Sequence, residues 1–454
     1  MTALFSPQEL SEITGGVWLV KAPDSAAFSI TTDTRTDNRG KIFFALAGER
    51  FDAHDFLAQA VDSGCAALCI CKKKISGIPA GIPVLAVKDT LLAMQACAAY
   101  HRRRFPELTL FNVTGSVGKT SVKEMLRAIC IQTAGREHVL ATEGNTNNQI
   151  GVAQNLLKLT ELHRYAVIEA GTSSHGEISP LSAMSLPCGA VVNSIAPCHL
   201  ENLVDLDGVA REKGCIFSHL AADGIAVFPA ETAGKSILQS AAKNHKCVTF
   251  GMDGKGDISA EFISGELDNS TFTLTFPGGK KFTVNWHLTG RHNALNAAGA
   301  AALAYSCGIS PELICAGLKN TTLPGMRMKK SVINGVTYFN DAYNANPASM
   351  KASVELLSQV KFSGRLFLML GGMRELGNIS ATAHKELLDT VKKMLPDARV
   401  LTVGAEFEGI SSDHYPSPEA AGSALQTLLQ AGDTVFAKGS RGNCVEKTLP
   451  PEAR

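Results

Sequence analysis

The chain has almost no excess of charge of either sign. Its 43 lysines and arginines are balanced by 42 aspartates and glutamates, which leaves a formal net charge of +1 over 454 residues. A near-neutral protein has no broad electrostatic attraction to nucleic acid or to an anionic membrane surface. We therefore expect no nucleic-acid partner, although a local anion-binding site is compatible with this composition.

Long apolar runs are missing as well. The stretch that comes nearest to a membrane span, residues 294–309, is mostly alanine and contains Asn296. The first ten residues lack the basic segment and apolar core of a secretory signal peptide. Together these absences predict a cytoplasmic protein without a membrane span.

Cysteines are present, but not in the patterns that bind metal. The chain has 12 cysteines and no Cys-x-x-Cys pair, and several of them lie inside apolar runs. Scattered cysteines of this kind are typical of small, reduced core residues in a cytosolic protein. The sequence therefore predicts neither a disulfide framework nor a cysteine zinc site.

Strand-like and helical segments alternate along the chain and predict an α/β fold in two or three domains. We place a small α/β domain at residues 1–105, a central domain at 106–322 and a Rossmann-like α/β domain at 323–454. The central domain is expected to hold a doubly wound parallel sheet and then an antiparallel patch around a Pro277-Gly-Gly turn. Its parallel strands are predicted at residues 108–113, 165–169, 190–195 and 224–228.

One stretch organises the central domain, Asn112-Val-Thr-Gly-Ser-Val-Gly-Lys-Thr-Ser121. An apolar run leads into it, and from Ser121 onward apolar residues recur at helical spacing. Between strand and helix, two glycines allow a tight turn, Lys119 adds a positive charge and Thr120 adds a hydroxyl. This is the build of a phosphate-binding loop, in which backbone N–H groups hold phosphate oxygens and the hydroxyl ligates Mg²⁺. Two residues separate the glycines, instead of the four of the general nucleotide-binding loop.

Several other polar residues follow predicted strands of the same sheet. They are Glu169, His199 and Glu201, with Asn145, Asn147 and Asn148 in a turn and Lys213 in a helical stretch. Ligands of α/β sheets gather at the carboxyl ends of the strands. Each residue alone fits an ordinary surface, turn or structural role. Beside a phosphate loop they form a coherent set, because Mg²⁺ needs hard oxygen ligands that Thr120 and Glu169 can supply.

Motifs in a fixed order extend this pattern over essentially the whole chain. They lie at residues 114–120, 144–151, 168–171, 199–201, 290–296, 340–347, 373–377 and 438–441, together with Lys213. In these motifs the sequence resembles the Mur ligase family, and within it the members that add a D-alanyl-D-alanine dipeptide. The short glycine spacing of the loop is normal for that family.

The resemblance implies an ATP-dependent carboxylate–amine ligase of peptidoglycan precursor synthesis. Its substrates would be UDP-N-acetylmuramoyl-tripeptide and D-alanyl-D-alanine, joined through an acyl phosphate, and the enzyme would be a monomer. Two Mg²⁺ ions are implied, with Thr120 and Glu169 as ligands of the first, and with His199 and a carbamylated Lys213 as ligands of the second. Carbamylation turns an ammonium, which cannot bind a cation, into a carboxylate-like donor.

The resemblance also assigns nucleotide and substrate contacts. Lys119, His199 and Lys213 would be catalytic. The ATP-binding residues would be Gly115, Ser116, Val117, Gly118, Lys119, Thr120, Asn147, Asn148, Asn293, Asn296, Arg327 and Asp341. Asp33, Thr34 and Arg35, with the turn at 48–54, would bind the UDP-sugar. The chain departs from the family pattern at Gly372, where an aspartate is usual, and at Val117, Thr34, Ala53 and Met326.

Three alternatives stay open at this point. Family members that add a single amino acid usually carry an Asp-Asn-Pro-Arg tetrapeptide in the last domain, and this chain has none. Folylpolyglutamate synthase shares the ATP loop but has no separate first domain, whereas about 105 residues precede the loop here. A P-loop switch or non-catalytic nucleotide-binding module would leave His199 and Lys213 without a role. The sequence does not decide whether the third residue of the acceptor peptide is diaminopimelate or lysine.

Overall fold

The computed structural model describes residues 4–48 and 51–454, and the chain folds around three sheets of five, nine and six strands. We refer to the parts built on these sheets as the first, central and third units. The predicted mixed α/β fold is confirmed. All 12 cysteines lie in the described part and are free. No helix within that part is long and apolar enough to cross a bilayer.

The first unit is a mostly parallel sheet covered by helices. Its strand order is β1-β5-β4-β3-β2, with only β1 antiparallel to its neighbour. The strands are β1 (Val17–Val20), β2 (Ser29–Thr31), β3 (Lys41–Phe44), β4 (Ala67–Cys71) and β5 (Val84–Val87). The helices are α1 (Pro7–Thr14), α2 (Leu57–Asp62) and α3 (Thr90–Arg103). Strands β3, β4 and β5 were expected from the sequence, whereas β1 and β2 are additional.

The central unit contains a nine-stranded sheet of order β14-β13-β12-β11-β10-β9-β6-β8-β7. The strands are β6 (Thr109–Thr114), β7 (Val139–Ala141), β8 (Tyr165–Glu169), β9 (Gly189–Val192), β10 (Ile225–Pro229), β11 (Lys246–Met252), β12 (Ile258–Gly265), β13 (Ser270–Phe276) and β14 (Lys280–Trp286). The helices are α4 (Lys119–Ala134), α5 (Gln149–Leu156), α6 (Ile178–Ser185), α7 (Leu200–Leu203), α8 (Leu206–Gly214), α9 (Lys235–Ala241), α10 (Arg291–Ser306) and α11 (Pro311–Lys319). The seven strands from β7 to β12 in this order are parallel, and β13 and β14 extend the same sheet antiparallel.

The doubly wound sheet and its antiparallel patch are therefore as predicted, but strands β7 and β11 are additional and two details differ. The patch continues the parallel sheet through β11 and β12, because β12 pairs in parallel with β11 before β13 reverses direction. The strand expected at residues 190–195 ends at Val192. Asn193 and Ser194 leave the strand because they bond to the loop that follows β6.

The order of strands fixes where a ligand can bind. Strand β6 lies between β8 and β9, so the chain winds outward from β6 on both sides. In such a sheet the loops at the carboxyl ends diverge at this point and leave a crevice. The glycine-rich turn follows β6 directly and opens into α4, whose buried face consists of apolar residues at the predicted helical spacing. These include Val122, Met125, Leu126 and Ile129. The helix begins at Lys119, two residues before the predicted start.

The third unit has a six-stranded sheet of order β15-β16-β20-β17-β18-β19, parallel except for β15. The strands are β15 (Lys329–Ile333), β16 (Val336–Asn340), β17 (Leu366–Gly371), β18 (Arg399–Val403), β19 (His414–Tyr415) and β20 (Thr434–Lys438). The helices are α12 (Pro347–Ser358), α13 (Ser380–Met394) and α14 (Pro418–Leu428). Strand β20 inserts between β16 and β17, so a second crevice opens at the carboxyl edge of this sheet.

One hydrophobic core joins the first unit to the central unit. Phe5, Phe44 and Leu85 of the first unit belong to the same buried cluster as Leu156 and Phe228 of the central unit. The third unit has two clusters of its own, one on each face of its sheet, and from the central unit only Leu267 enters them. The first two units thus share an apolar interior, whereas the third unit meets them mainly through polar contacts.

Candidate active site

A cavity of about 900 Å³ lies where the central and third units face each other. It is lined by the loop after β6, by the ends of β8 and β9, by the start of α10 and by the segment after β16. Most of the predicted site residues line it: Ser116, Val117, Gly118, Lys119, Thr120, Asn147, Asn148, Glu169, His199, Asn293, Asn296, Arg327 and Asp341. The structure therefore brings together residues that are far apart in the chain, the most distant pair being Ser116 and Asp341, 225 positions apart.

The glycine-rich loop is held by hydrogen bonds to the residues that follow β9. The backbone N–H groups of Ser116 and Val117 donate to the carbonyl and the hydroxyl of Ser194, each at 2.9 Å. The Ser116 hydroxyl donates to the carbonyl of Ala196 at 2.9 Å. Lys119 folds back so that its ammonium donates to the Gly115 carbonyl at 2.7 Å. The loop is thus a fixed turn with a lysine held over it.

Gly118 is required by both its backbone and its surroundings. Its φ of 81° lies in the left-handed region, at the N-cap of α4. A Cβ at this position would approach the Asn193 amide nitrogen to 2.4 Å and the Asn296 oxygen to 2.6 Å. The Asn193 amide nitrogen donates to the Asn296 amide oxygen at 2.8 Å, and the Asn296 amide nitrogen donates in turn to the Asn293 amide oxygen at 3.3 Å. The amide chain therefore packs directly against the turn.

Glu169 has the features of a cation ligand. It ends β8, is 3% exposed, and receives a hydrogen bond from the Asn147 amide to Oε1 at 2.9 Å. Its other oxygen, Oε2, is buried without a hydrogen-bond partner among the described residues. A buried carboxylate oxygen without a partner carries a desolvation cost that a cation would remove. No group of three or more His, Cys, Asp or Glu side chains in the described part is placed so that it could hold a metal ion.

Lys213 lies outside the cavity lining and is almost completely buried, with 1% exposure in α8. Within residues 4–48 and 51–454 no carboxylate is within 4 Å of its ammonium, the distance that defines an ion pair. Burial, and to a smaller extent the positive charge of Lys119, lower the pKa of Lys213 from 10.5 to about 8. The neighbouring Glu212 is engaged elsewhere, since it accepts from the N–H groups of Gly176, Glu177 and Ile178.

His199 is the N-cap of the short helix α7 and lines the cavity. Its Nδ1 lies 2.6 Å from an oxygen of Glu375, a residue of the third unit. The close His199 side chain lowers the pKa of Glu375. This contact joins the two units across the mouth of the cavity.

Two more contacts join the units beside the phosphate loop. The Arg327 guanidinium donates to the Thr120 hydroxyl at 3.1 Å and stacks 3.8 Å from the centre of the Tyr343 ring. The Tyr343 hydroxyl donates to the Asn145 amide oxygen at 3.3 Å. Asp341 is held within the third unit, where it accepts from Lys438 at 2.6 Å.

The predicted residues of the first unit lie apart from the cavity lining. Asp33 binds Arg35 through two side-chain hydrogen bonds of 2.8 Å, and this contact lowers the pKa of Asp33 to about 2. Thr34 lies between them and is partly exposed. The adjacent Thr32 hydroxyl accepts from Gln154 of α5 at 2.8 Å, so the turn adjoins the central unit. The predicted turn at 48–54 lies partly outside the described residues, because positions 49 and 50 are not included.

Four residues of the site were not assigned a role from the sequence. Asn193, Tyr343, Glu375 and Lys438 line the cavity or contact residues that do. Asn193 had a visible signal, since it follows an apolar strand directly. The other three lie within motifs of the third unit, but their partners are in a distant unit or a distant strand.

Comparison with known proteins gives consistent matches over nearly the whole chain. Residues 113–304 match the Mur ligase middle domain, and residues 326–441 match the Mur ligase glutamate ligase domain. The chain is 38% identical to the UDP-N-acetylmuramoyl-tripeptide–D-alanyl-D-alanine ligase of Escherichia coli K12, over 97% of this chain and 96% of that protein. It is 36% identical to the ligase of the same name from Haemophilus influenzae, over 92% of each chain.

A solved structure agrees with these sequence matches. The crystal structure of MurF from Acinetobacter baumannii superposes with a TM-score of 0.89 at 33% identity and covers 98% of both chains. The similarity thus includes all three units and their arrangement.

Proposed function

The chain belongs to the Mur ligase family, and we propose that it joins D-alanyl-D-alanine to UDP-N-acetylmuramoyl-tripeptide at the expense of ATP, in peptidoglycan precursor synthesis. Relatives named for this reaction match the chain over more than nine-tenths of its length. The observation that carries the proposal is the cavity in which a phosphate loop and a partnerless buried carboxylate oxygen meet residues of a second unit.

The ATP phosphates would be held by the loop from Gly115 to Thr120, at the N-terminus of α4. A helix N-terminus favours anions, because its first N–H groups have no partner within the helix. The Lys119 ammonium, 2.7 Å from the Gly115 carbonyl, lies over this turn and would neutralise the transferring phosphoryl group. Asn147 and Asn148 would flank the phosphates, and Asn293 and Asn296 would contact the adenine side.

We propose that the site holds two divalent cations. Thr120 and Glu169 would hold the first, because the free oxygen of Glu169 needs a positive partner. His199 and Lys213 would hold the second if Lys213 is carbamylated. A bound Mg²⁺ supplies charge neutralisation of the phosphates and of the acceptor carboxylate.

Carbamylation is compatible with the environment of Lys213. The neutral amine adds to carbon dioxide and releases a proton, so the reaction needs an unprotonated lysine. Burial without an ion-pair partner favours that form, since it disfavours the ammonium. The product would be an anionic oxygen donor in place of a buried cation.

The reaction follows from carboxylate chemistry. A free carboxylate is a poor acyl donor because its leaving group would be an oxide ion. Transfer of the γ-phosphoryl group to it gives an acyl phosphate, which the dipeptide amine attacks through a tetrahedral intermediate, and phosphate leaves. The protein contributes positioning and charge stabilisation. Asp33, Thr34 and Arg35 would hold the UDP-sugar, and Arg327 and Asp341 would close over ATP from the third unit.

The remaining parts of the proposal concern organisation. We propose unit boundaries near 105/106 and 322/323, a monomeric enzyme and a cytoplasmic location. Free cysteines throughout the described chain suit a reducing compartment.

A competition assay tests the proposal. UDP-muramyl-tripeptide, ATP and Mg²⁺ are offered with D-alanyl-D-alanine, D-alanine, L-lysine or diaminopimelate, and product and phosphate are measured. We expect the dipeptide to win by up to about 10⁴-fold, because a site that bonds its internal amide and carboxylate leaves polar groups unpaired with a single amino acid. Acceptors ending in diaminopimelate and in lysine are compared in parallel.

Two results would redirect the assignment. Faster ligation of a single amino acid to UDP-muramyl-dipeptide would favour the family members that add one residue. Phosphate release that needs neither acceptor nor amine would favour a nucleotide switch.

A further inference from the structure

The turn that joins β12 to β13, residues 266–269, makes an apolar contact between the central unit and the third unit. Turn residues are ordinarily polar, and Glu266, Asp268 and Asn269 follow that rule. Leu267 does not follow it. This side chain is buried because it inserts into the third-unit cluster that contains Phe339. The β12–β13 turn is therefore docked on the third unit.

The docked part of the third unit is the start of β15 and the residue before it. Met328 packs against the same cluster as Leu267, and the Asp268 carboxylate pairs with the Lys330 ammonium at 2.7 Å. Met328 has a left-handed backbone with φ of 56°, which a non-glycine residue keeps where its surroundings impose it. The β12–β13 turn thus holds the backbone directly after Arg327.

The same turn is tied to the amide chain that packs against the phosphate loop. The Thr289 hydroxyl donates to the Glu266 carbonyl, and the Asn293 amide nitrogen donates to the Thr289 carbonyl at 2.8 Å. At the other end of the amide chain, the Asn193 amide nitrogen donates to the Val117 carbonyl at 2.9 Å. Thr289 and the asparagines of the chain are all buried, and a buried network with its hydrogen bonds made is rigid.

Arg327 reaches across the cavity between these two attachments. Its guanidinium donates to the Thr120 hydroxyl at 3.1 Å and stacks on the Tyr343 ring. The third unit has apolar clusters of its own, and the side chains of the Asp268–Lys330 pair are each 43% exposed, so this pair adds little to stability. The docked turn therefore has more influence on the orientation of the third unit than on its folding.

We propose that Leu267 and Asp268 are positioning residues for Arg327, which keep its guanidinium against Thr120 at the phosphate loop. Neither of the two lines the cavity. The β12–β13 turn bonds to the amide chain on the side of the loop and docks on the start of β15 on the side of Arg327. One turn thereby sets the spacing between the two walls of the cavity. This inference rests on the proposed function for the identity of the nucleotide that Arg327 would face.

The first measurement needs neither nucleotide nor substrate. The protein is labelled with 3-fluorotyrosine and studied by ¹⁹F NMR, and the Tyr343 signal is assigned through Tyr343→Phe. Because the Arg327 charge lies 3.8 Å from the centre of this ring, Arg327→Ala gives the signal of an uncovered Tyr343. We expect Leu267→Ala to shift the signal toward that position. Ile263→Ala removes an exposed apolar side chain from the same hairpin, and its Tyr343 signal should match the wild type.

The second measurement is a kinetic double-mutant cycle. We expect Leu267→Ala to lower kcat by about 10- to 100-fold, since misplacement of a positioned group by about 1 Å can cost about 10²-fold. The KM for ATP should stay close to that of the wild type, because the phosphate loop is untouched. In Arg327→Ala the same change should add less than about twofold, because its effect acts through the guanidinium. Leu267→Met fills a similar volume and should keep most of the activity, as should Ile263→Ala.

A charge reversal tests the turn without a change to its apolar contact. Asp268→Lys should move the Tyr343 signal in the same direction as Leu267→Ala, and Asp268→Lys/Lys330→Asp should return it. The proposal is overturned by a wild-type Tyr343 signal or a wild-type kcat in Leu267→Ala, or by losses that multiply in Leu267→Ala/Arg327→Ala. If Leu267→Ala does not fold, an unmoved signal in Asp268→Lys overturns it. If the wild type ligates no dipeptide, the proposed function fails, while the fluorine measurement still decides the role of the turn.

Discussion

Gly372→Asp should destabilise the third unit, even though it restores the acid that is usual in the family. A Cβ at position 372 would lie 2.1 Å from Oε2 and 2.6 Å from Cδ of Glu406. The Glu406 carboxylate thus already fills the space beside Gly372, and its Oε2 is buried without a hydrogen-bond partner in the described part of the chain. The new side chain would have to displace it.

The magnitude follows from two costs. Displacing the Glu406 side chain from a packed site costs about 1–3 kcal/mol. A second carboxylate in contact adds a charge cost, since one of the two must move or take up a proton, at about 1.4 kcal/mol per unit of pKa shift. We therefore expect a loss of about 2–4 kcal/mol for Gly372→Asp. Gly372→Ala should lose about 1 kcal/mol, because the flexible end of Glu406 can rotate away from a methyl group.

The matched experiment removes the obstruction. Glu406→Ala should be close to neutral by itself, because it deletes a buried oxygen without a partner and, in Oε1, only a 3.7 Å ion pair with the exposed Arg374. In the double variant it should recover about 1–3 kcal/mol of the loss. The two tryptophans, Trp18 and Trp286, lie outside the third unit, so their fluorescence does not report on it. Hydrogen exchange of the β17 amides measures the local free energy of opening directly.

Two results would refute this reasoning. The first is a Gly372→Asp variant with the exchange protection of the wild type. The second is a Glu406→Ala/Gly372→Asp variant no better protected than Gly372→Asp alone. Either would mean that Glu406 does not fill the space beside residue 372.

Three further predictions concern the two lysines of the site. Lys119→Ala should keep the fold and lose about 10²-fold or more in turnover, measured by phosphate release, because it removes a charge held over the phosphate loop; near-normal turnover would exclude the loop as the ATP site. Lys213→Ala should be almost inactive, and acetate should partly restore its activity because it supplies the oxygens of a carbamate. A crystal structure with bound nucleotide and Mg²⁺ would contradict this if Lys213 were unmodified and remote from the metal. In buffer free of carbon dioxide, the native pKa of Lys213 is about 8 against 10.5 for an unperturbed lysine, so the unfolded chain holds the proton more tightly between these values. Stability relative to Lys213→Met should therefore rise with pH from about 8 to 10.5, by up to about 3 kcal/mol in urea unfolding, and a flat difference would refute the burial of an uncompensated ammonium.

The sequence predicted those parts of the fold that local patterns encode. Helix α4 followed from the spacing of its apolar residues, and β6 and β8 from short apolar runs. Strands β7 and β19, of three and two residues, were not predicted because they are too short to show periodicity. The end of β9 was misplaced because side-chain bonds to a distant loop, and not hydrophobicity, terminate it.

The candidate site was predicted as a set of residues, but not as a set of contacts. In the central and third units, all the predicted site residues except Gly115 and Lys213 line one cavity. The pairing of His199 with Glu375 depends on how two units pack, which no local pattern specifies. Likewise, the glycine at 372 was visible in the sequence, whereas its partner Glu406 comes from the loop after the next strand of the sheet.

The shared core of the first and central units has a consequence for synthesis on the ribosome. The apolar cluster that contains Phe5 and Phe44 also contains Leu238 and Ala242 of α9 and its end. The first unit therefore cannot complete its interior when its own last strand and helix have been made. It must wait for more than a hundred further residues, which at about 5–20 residues per second is roughly 7–28 s. During that interval an apolar face of the nascent chain is uncovered and open to chaperones, whereas the third unit, with its own core, can fold as soon as it emerges.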